Sequence, residues 1–119
     1  MSGTGLSYSS GRNQCQSEGG DLAVYDIYEK YYNFRKIYYE NLGLNQHVWF
    51  GLTDHHGLSP AVERKWITGS KLNYNNFSGE PPSSSGSTDD CYFSSAFGDH
   101  LWYDDQCYQI RFYSCERGN

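Results

Sequence analysis

The stretch LWYDDQC, at residues 101–107, decides how this chain of 119 residues folds. Trp102 stands two residues before Asp104, and Cys107 stands three residues after Asp104. The large apolar and aromatic residues at the start of the stretch favour a short β-strand. Asp104 is followed by a second acid, Asp105, whose direction the sequence does not predict, and a solvated acidic surface is the simplest interpretation of such acids.

Cys107 is one member of an even set of cysteines. An even set in a short polar chain indicates a disulfide framework formed in an oxidising compartment. Four cysteines allow three pairings, and none of these cysteines has the Cys-x-x-Cys spacing of zinc or redox sites. The set consists of Cys15, Cys91, Cys107 and Cys115.

Composition limits the class of protein. The length fits one domain, spanning residues 1–119. Nine basic and fourteen acidic residues give a formal net charge of −5 without a long run of either sign, so nucleic acid is not an expected partner. No apolar run approaches the ~18 residues of a membrane span. Residues 1–5 lack an apolar signal core, so we expect any secretory signal to have been removed.

The first half of the chain has helical signals. Ser9 and Ser10 can cap a short helix that runs to about Glu18 and ends at Gly19 and Gly20. A second helix is predicted from a capping-box pattern, helical spacing of apolar residues and a glycine at the stop. Its signals are Asp26 with Glu29, then Ile27, Tyr31, Phe34, Tyr38 and Leu42, then Gly43.

The second half has strand signals separated by polar turns. We predict short strands at residues 48–52, 64–68, 91–93, 101–103 and 111–115. Residues 73–90 are rich in Asn, Ser, Gly, Pro and acid, which predicts a long loop of the kind that is usually functional or disordered. Helices followed by strands indicate an α+β fold.

Four segments in this order resemble the C-type lectin domain family over residues 6–116. They are CQSEGGDLAVYD at 15–26, VWFGLTD at 48–54, GEPPSSSGSTDDC at 79–91, and LWYDDQC with YSCE at 113–116. The resemblance implies two helices with two small antiparallel sheets, a long loop that carries the ligand surface, and two disulfides. Trp66 and Trp102 could stack on a sugar, but the resemblance places them in the core. It pairs Cys15 with Cys115 and Cys91 with Cys107.

One departure from the family concerns the start of the chain. Family members usually begin with a strand that pairs near the C-terminus, and only five residues precede Leu6 here. We therefore expect the first strand to be missing or truncated. An uncovered edge at residues 111–114 would then be open to self-association, and a homo-oligomer is one expected state.

The resemblance also implies a calcium site that has lost part of its ligand set. Sugar-binding relatives hold calcium through carboxylates and amides, and the ion then binds two sugar hydroxyls. Carried onto this chain, the three acids survive as Glu80, Asp89 and Asp104, whereas Pro82 and Tyr103 replace the two amides. Since calcium takes six to eight oxygens, we expect weak or absent calcium binding.

Two binding functions follow from this interpretation. The first is a secreted lectin that binds carbohydrate, with a weak preference for mannose-type sugars, through Glu80, Asp89, Asp104 and Tyr103, plausibly in recognition or innate defence. The second is a calcium-independent domain that binds a protein, such as a cell-surface glycoprotein, or a glycan through a Tyr-rich surface. Tyr74, Phe77 and Tyr108 are expected near that surface, together with Tyr103.

Zinc binding and catalysis have weaker support in the sequence. Zinc could be held by His47, His55, His56 and His100, but adjacent histidines cannot easily face one ion in an extended segment. The sequence contains no nucleophile elbow, HExxH helix or phosphate loop, so we do not expect an enzyme.

Overall fold

The first helix, α1, spans Tyr8–Ser17 in a computed structural model that describes residues 3–53, 65–70, 74, 76–77, 90–98 and 100–117. It begins before the predicted cap, because Ser7 is the residue that precedes the first turn. Gly19 ends this segment as predicted, with a φ of 91° that favours glycine. The buried face of α1 carries Gly11, where an added Cβ would lie 3.1 Å from the ring of Tyr113.

The second helix has two parts. The α-helical part, α2, spans Tyr28–Phe34, and a π-helix continues it over Arg35–Asn41. The predicted capping box is wrong, because Ile27 is the cap residue and no side chain caps the helix. Asp26 instead forms an ion pair of 3.0 Å with Lys30, one turn along the helix.

The π-helix changes which side chains face the core. Tyr31 and Phe34 are buried as the helical spacing predicts, but farther along the helix the buried residue is Tyr39, which is 6% exposed. Leu42, predicted on the same buried face, is 70% exposed. The cause is the wider π-helical turn, in which the N–H of Leu42 donates to the carbonyl of Ile37, five residues back.

The main sheet is built around a fully buried central strand. The strands of this sheet are Val48–Thr53 (β2), Lys65–Trp66 (β3), Asp90–Ser94 (β4), Trp102–Gln106 (β5) and Phe112–Tyr113 (β6), which confirms the five predicted strands. The central strand β2 pairs antiparallel with β3 and β4 and parallel with β6, and β5 pairs antiparallel with β4.

A second, two-stranded sheet pairs β1, Gly20–Leu22, with β7, Cys115–Arg117. The sequence did not predict β1, because Gly20 was interpreted only as a helix terminator. The close approach of the two strands requires this glycine, since a Cβ at Gly20 would lie 2.1 Å from the carbonyl oxygen of Glu116.

Two disulfides hold the sheets and α1 together, with the pairing that the resemblance implies. Cys15 of α1 bonds to Cys115 of β7 across 100 residues of sequence. Cys91 of β4 bonds to Cys107, just after β5, across 16 residues. The chain-entropy model gives them roughly 4.7 and 3 kcal/mol of stabilisation.

The core lies on both faces of the main sheet. On the face toward α2, the rings of Trp66 and Trp102 are buried as predicted and cross at 5.7 Å in an edge-to-face pair. On the other face, Trp49 packs against Tyr8 of α1 at 5.5 Å and against Phe93 at 5.9 Å.

The prediction of an uncovered edge at residues 111–114 is wrong. The N–H of Leu6 donates to the carbonyl of Arg111 at 2.9 Å, and the N–H of Arg111 donates back to Leu6 at 3.0 Å. Further on, the N–H of Ser114 donates to the carbonyl of Trp49 at 3.2 Å. Leu6 therefore covers the backbone at Arg111 through an isolated antiparallel bridge.

Candidate functional site

Of the three predicted calcium ligands, only Asp104 lies in the described part of the chain, where it pairs with Tyr92 across the β4–β5 ladder. Glu80 and Asp89 lie outside the described residues. The proposed ligand set therefore stays a prediction, but the backbone of Asp104 is fixed in the β4–β5 ladder.

Strand β5 anchors the acidic segment at both ends. At one end, Phe77 forms a parallel bridge with Trp102, and the N–H of Trp102 donates to the carbonyl of Asn76 at 2.9 Å. At the other end, Asp90 pairs with Gln106. Four residues of an extended strand span about 13 Å. Phe77 and Asp90, the described residues on either side of segment 78–89, therefore both pair with β5, and Asp104 lies midway between their partners.

The aromatic core holds the pairing of Phe77 with Trp102 in place. Trp102 is fully buried, and its ring lies 4.7 Å from Phe50 and 5.3 Å from Tyr31. Phe77 is itself buried and lies 5.9 Å from the Trp102 ring. Phe77 was predicted near the loop surface, and that prediction is wrong because its ring completes the core under β5. Tyr74 is half-buried and packs edge-on against Trp102 at 5.6 Å.

Asp105, whose direction the sequence could not predict, forms an ion pair with Arg111. Its other carboxylate oxygen accepts the N–H of Gln106 at 2.7 Å. The Arg111 guanidinium also lies over two rings, 4.0 Å from the centroid of Phe93 and 5.3 Å from that of Trp49. Asp105 thus has a structural role, because it holds Arg111 beside the sheet.

Tyr103 lies at the surface beside Phe93, with ring centroids 6.0 Å apart and 41% of the side chain exposed. Its ring lines a cavity of about 530 Å³ together with His47 and Phe97. Tyr108, in the turn after β5, is 69% exposed. Surface positions are therefore confirmed for Tyr103 and Tyr108.

The two described histidines have structural contacts. Nδ1 of His47 accepts the backbone N–H of Ala96 at 2.9 Å, and burial lowers the pKa of His47, with a further contribution from Arg111. The ring of His100 stacks on Tyr39 at 4.0 Å. Within the described ranges, no group of three or more His, Cys, Asp or Glu side chains could hold a metal ion. His55 and His56 lie outside those ranges.

Buried tyrosine hydroxyls fix the turn between β4 and β5. The hydroxyl of Tyr31 donates to the carbonyl of His100 at 2.5 Å, and the hydroxyl of Tyr39 hydrogen-bonds to the Ser94 hydroxyl at 2.7 Å. Burial raises the pKa of Tyr39 to about 12. His100 also has a φ of 57°, which is uncommon for a residue other than glycine. Sequence reasoning missed these contacts, because they join residues more than 50 positions apart.

Helices, sheets and disulfides together define a disulfide-bonded domain of the C-type lectin fold. The family model for the lectin C-type domain matches residues 4–117, so the chain belongs to that family. Among the described residues, no helix has the length and apolar character needed to cross a membrane.

Relatives agree with this assignment. The chain is 28% identical to asialoglycoprotein receptor 2 of Rattus norvegicus over 95% of its own length, and it spans 36% of that relative. The carbohydrate-recognition domain of the mouse scavenger receptor C-type lectin is 25% identical, with a TM-score of 0.77 over 99% of this chain and 87% of that one. A calcium-independent type II antifreeze protein is 21% identical, with a TM-score of 0.74 over 94% and 78% of the two chains.

Proposed function

We propose that this domain is the carbohydrate-binding module of an extracellular protein, with its sugar site on the acidic segment beside β5. The observation that carries the proposal is the pairing of Phe77 and Asp90, the residues on either side of segment 78–89, with β5 on either side of Asp104. Binding loops are usually presented in this way, on a rigid scaffold. The family match and a structural neighbour described as a carbohydrate-recognition domain support a sugar as ligand.

The predicted metal at this site is calcium. The donor set partly fits, because Glu80, Asp89 and Asp104 would offer the hard oxygens that calcium prefers. When bound, the ion would supply direct coordination of two sugar hydroxyls. The exposed phenol of Tyr103 stands where the resemblance places an amide, and it is a poor substitute for an amide oxygen. The carboxylates would accept hydrogen bonds from sugar hydroxyls, but the two amide donors are lost.

A calcium-independent mode is the second candidate, and Tyr103 favours it. The ring is held beside Phe93 at the surface, where it presents apolar area with a polar tip. The antifreeze neighbour, described as calcium-independent, indicates that this fold does not need the ion. The ligand in this mode is a glycan or a protein such as a cell-surface glycoprotein.

The setting of the protein also belongs to the proposal. Two disulfides support secretion into an oxidising compartment, because such bonds are rare in reducing ones. A role in recognition or innate defence, a weak preference for mannose-type sugars and the lack of catalysis are proposed from the family match. Self-association loses its sequence-based reason, because Leu6 covers the backbone at Arg111.

A glycan array probed with the 119-residue chain tests the proposal. It should be run with calcium and with a chelator, using the wild type, Glu80→Ala and the control Glu40→Ala. Glu40 is exposed on the π-helix, so the control removes an equal charge elsewhere. Signal lost with chelator and with Glu80→Ala supports the calcium mode, and chelator-resistant signal supports the second mode. An array without any glycan signal would refute carbohydrate binding.

A further inference from the structure

A concave surface lies at the turn end of the β4–β5 hairpin, and its described lining includes His47, Phe93, Phe97 and Tyr103. We call it the hairpin pocket. Its volume is about 530 Å³, which falls within the range of roughly 300–1,000 Å³ that is typical of small-molecule sites. Phe93 is nearly buried at 8% exposure, whereas Phe97 and Tyr103 are 66% and 41% exposed. The pocket therefore has an aromatic floor and two aromatic sides that are open to solvent.

The rings hold one another in place. His47 lies 4.9 Å from Phe93 and meets Phe97 edge-on at 5.4 Å, while Phe93 lies 6.0 Å from Tyr103. Such contacts limit ring rotation, so little ordering is needed when a ligand enters. The hydroxyl of Ser95 accepts the N–H of Phe97 at 3.1 Å, which fixes the turn that carries the most exposed ring.

The polar and charged groups of the pocket indicate a neutral ligand. His47 accepts a backbone N–H through Nδ1, so the neutral imidazole carries its hydrogen on Nε2 and can donate it. Arg111 stands against Phe93, where it would repel a cationic ligand, but its charge is neutralised by Asp105. Among its described lining residues, the pocket therefore offers rings and neutral polar groups.

We propose that the hairpin pocket is a metal-free binding site for a single neutral hexopyranose ring. One apolar face of the sugar stacks on Phe97 and Tyr103, and its hydroxyls meet Nε2–H of His47 and the phenol of Tyr103. A pyranose matches this lining because it has C–H groups on its faces and hydroxyls at its edge. The site rests on the proposed carbohydrate-binding function but needs neither calcium nor Glu80.

An NMR titration of the ¹⁵N-labelled 119-residue chain in chelator tests this site. The probes are methyl α-D-mannopyranoside, methyl β-D-galactopyranoside and N-acetylglucosamine, added separately. We expect at least one sugar to shift the backbone amides of residues 93–103. Phe97→Ala and Tyr103→Ala should each weaken binding ~3- to 10-fold, the size expected for losing one aromatic contact. Circular dichroism and thermal melting must show that each variant remains folded.

Tyr108→Ala is the matched control, because Tyr108 is an exposed tyrosine in the turn after β5 that is not part of the pocket lining. Its affinity should equal that of the wild type. The proposal is overturned if no sugar shifts residues 93–103 in chelator, or if Phe97→Ala binds as tightly as Tyr108→Ala. Glu80→Ala separates the two proposals, since it should abolish only the calcium-dependent signal of the array and leave this titration unchanged.

Discussion

The guanidinium of Arg111 lies 4.0 Å from the ring centroid of Phe93 while it forms an ion pair with Asp105. The Arg111 side chain is only 17% exposed, so both contacts act where water screens charge poorly. One side chain thus fastens the turn after β5 to the face of the sheet that carries the hairpin pocket.

We expect Arg111→Ala to destabilise the domain by ~2–3 kcal/mol, because it removes a cation–π contact and leaves Asp105 without its partner. Urea unfolding measures the free energy. The double variant with Asp105→Ala should cost less than the sum of the two single variants, since the unpaired carboxylate is then absent. Additive losses would show that the ion pair contributes nothing.

The parts of the fold that sequence could predict are those with local signals. The strand β2 and the left-handed Gly43 that follows the second helix were predicted from local signals, whereas the core position of Trp102 came from the resemblance. The pairing of the cysteines came from the resemblance rather than from their spacing. The π-helix could not be predicted, because the burial of Tyr39 depends on packing against residues distant in sequence, which leaves no local signal.

The candidate acids were named through the resemblance, and their role as ligands stays a prediction. The sequence could not show that Asp105 pairs with Arg111. It also could not show that Phe77 packs in the core or that Tyr103 lies beside Phe93 in the hairpin pocket. These contacts depend on how β4 and β5 align, which pairwise spacing alone does not determine.

Reduction should unfold the domain. The loops closed by the two bridges, 100 and 16 residues apart in sequence, account for roughly 4.7 and 3 kcal/mol. That sum is a large fraction of the 5–15 kcal/mol of typical domains. Thermal melts followed by circular dichroism, with and without a phosphine reductant, measure the effect. Cys15→Ala with Cys115→Ala should lower the melting temperature more than Cys91→Ala with Cys107→Ala, and a melt unaffected by reductant would contradict the role of both bridges.

Stability should fall in mild acid because of His47. Its pKa is lowered by burial and by Arg111, so the unfolded chain takes up a proton at a higher pH than the folded chain does. The stabilisation is therefore fully present above ~6.5, the ordinary histidine pKa, and is lost as pH falls toward the folded pKa. Protonation also turns Nδ1 into a donor that cannot accept the Ala96 N–H.

His47→Asn tests this dependence, because an amide oxygen can still accept the Ala96 N–H without titrating. Urea unfolding of both proteins at pH 8 and pH 5 gives the comparison. We expect the variant to lose less stability between the two pH values than the wild type. Parallel losses would assign the acid sensitivity to other groups.

Calcium affinity should be weak and should rise when the two lost amides are restored. Pro82→Asn with Tyr103→Asn would return the residue types that the resemblance places at those positions, adding two oxygen ligands to the three carboxylates. Isothermal calorimetry should show an at least tenfold gain in affinity, equivalent to about 1.4 kcal/mol. The gain should disappear when Glu80→Ala is added and persist when Glu40→Ala is added instead. A tight calcium site in the unaltered chain, abolished by Glu80→Ala, would show that three carboxylates are sufficient and that the amides are dispensable here.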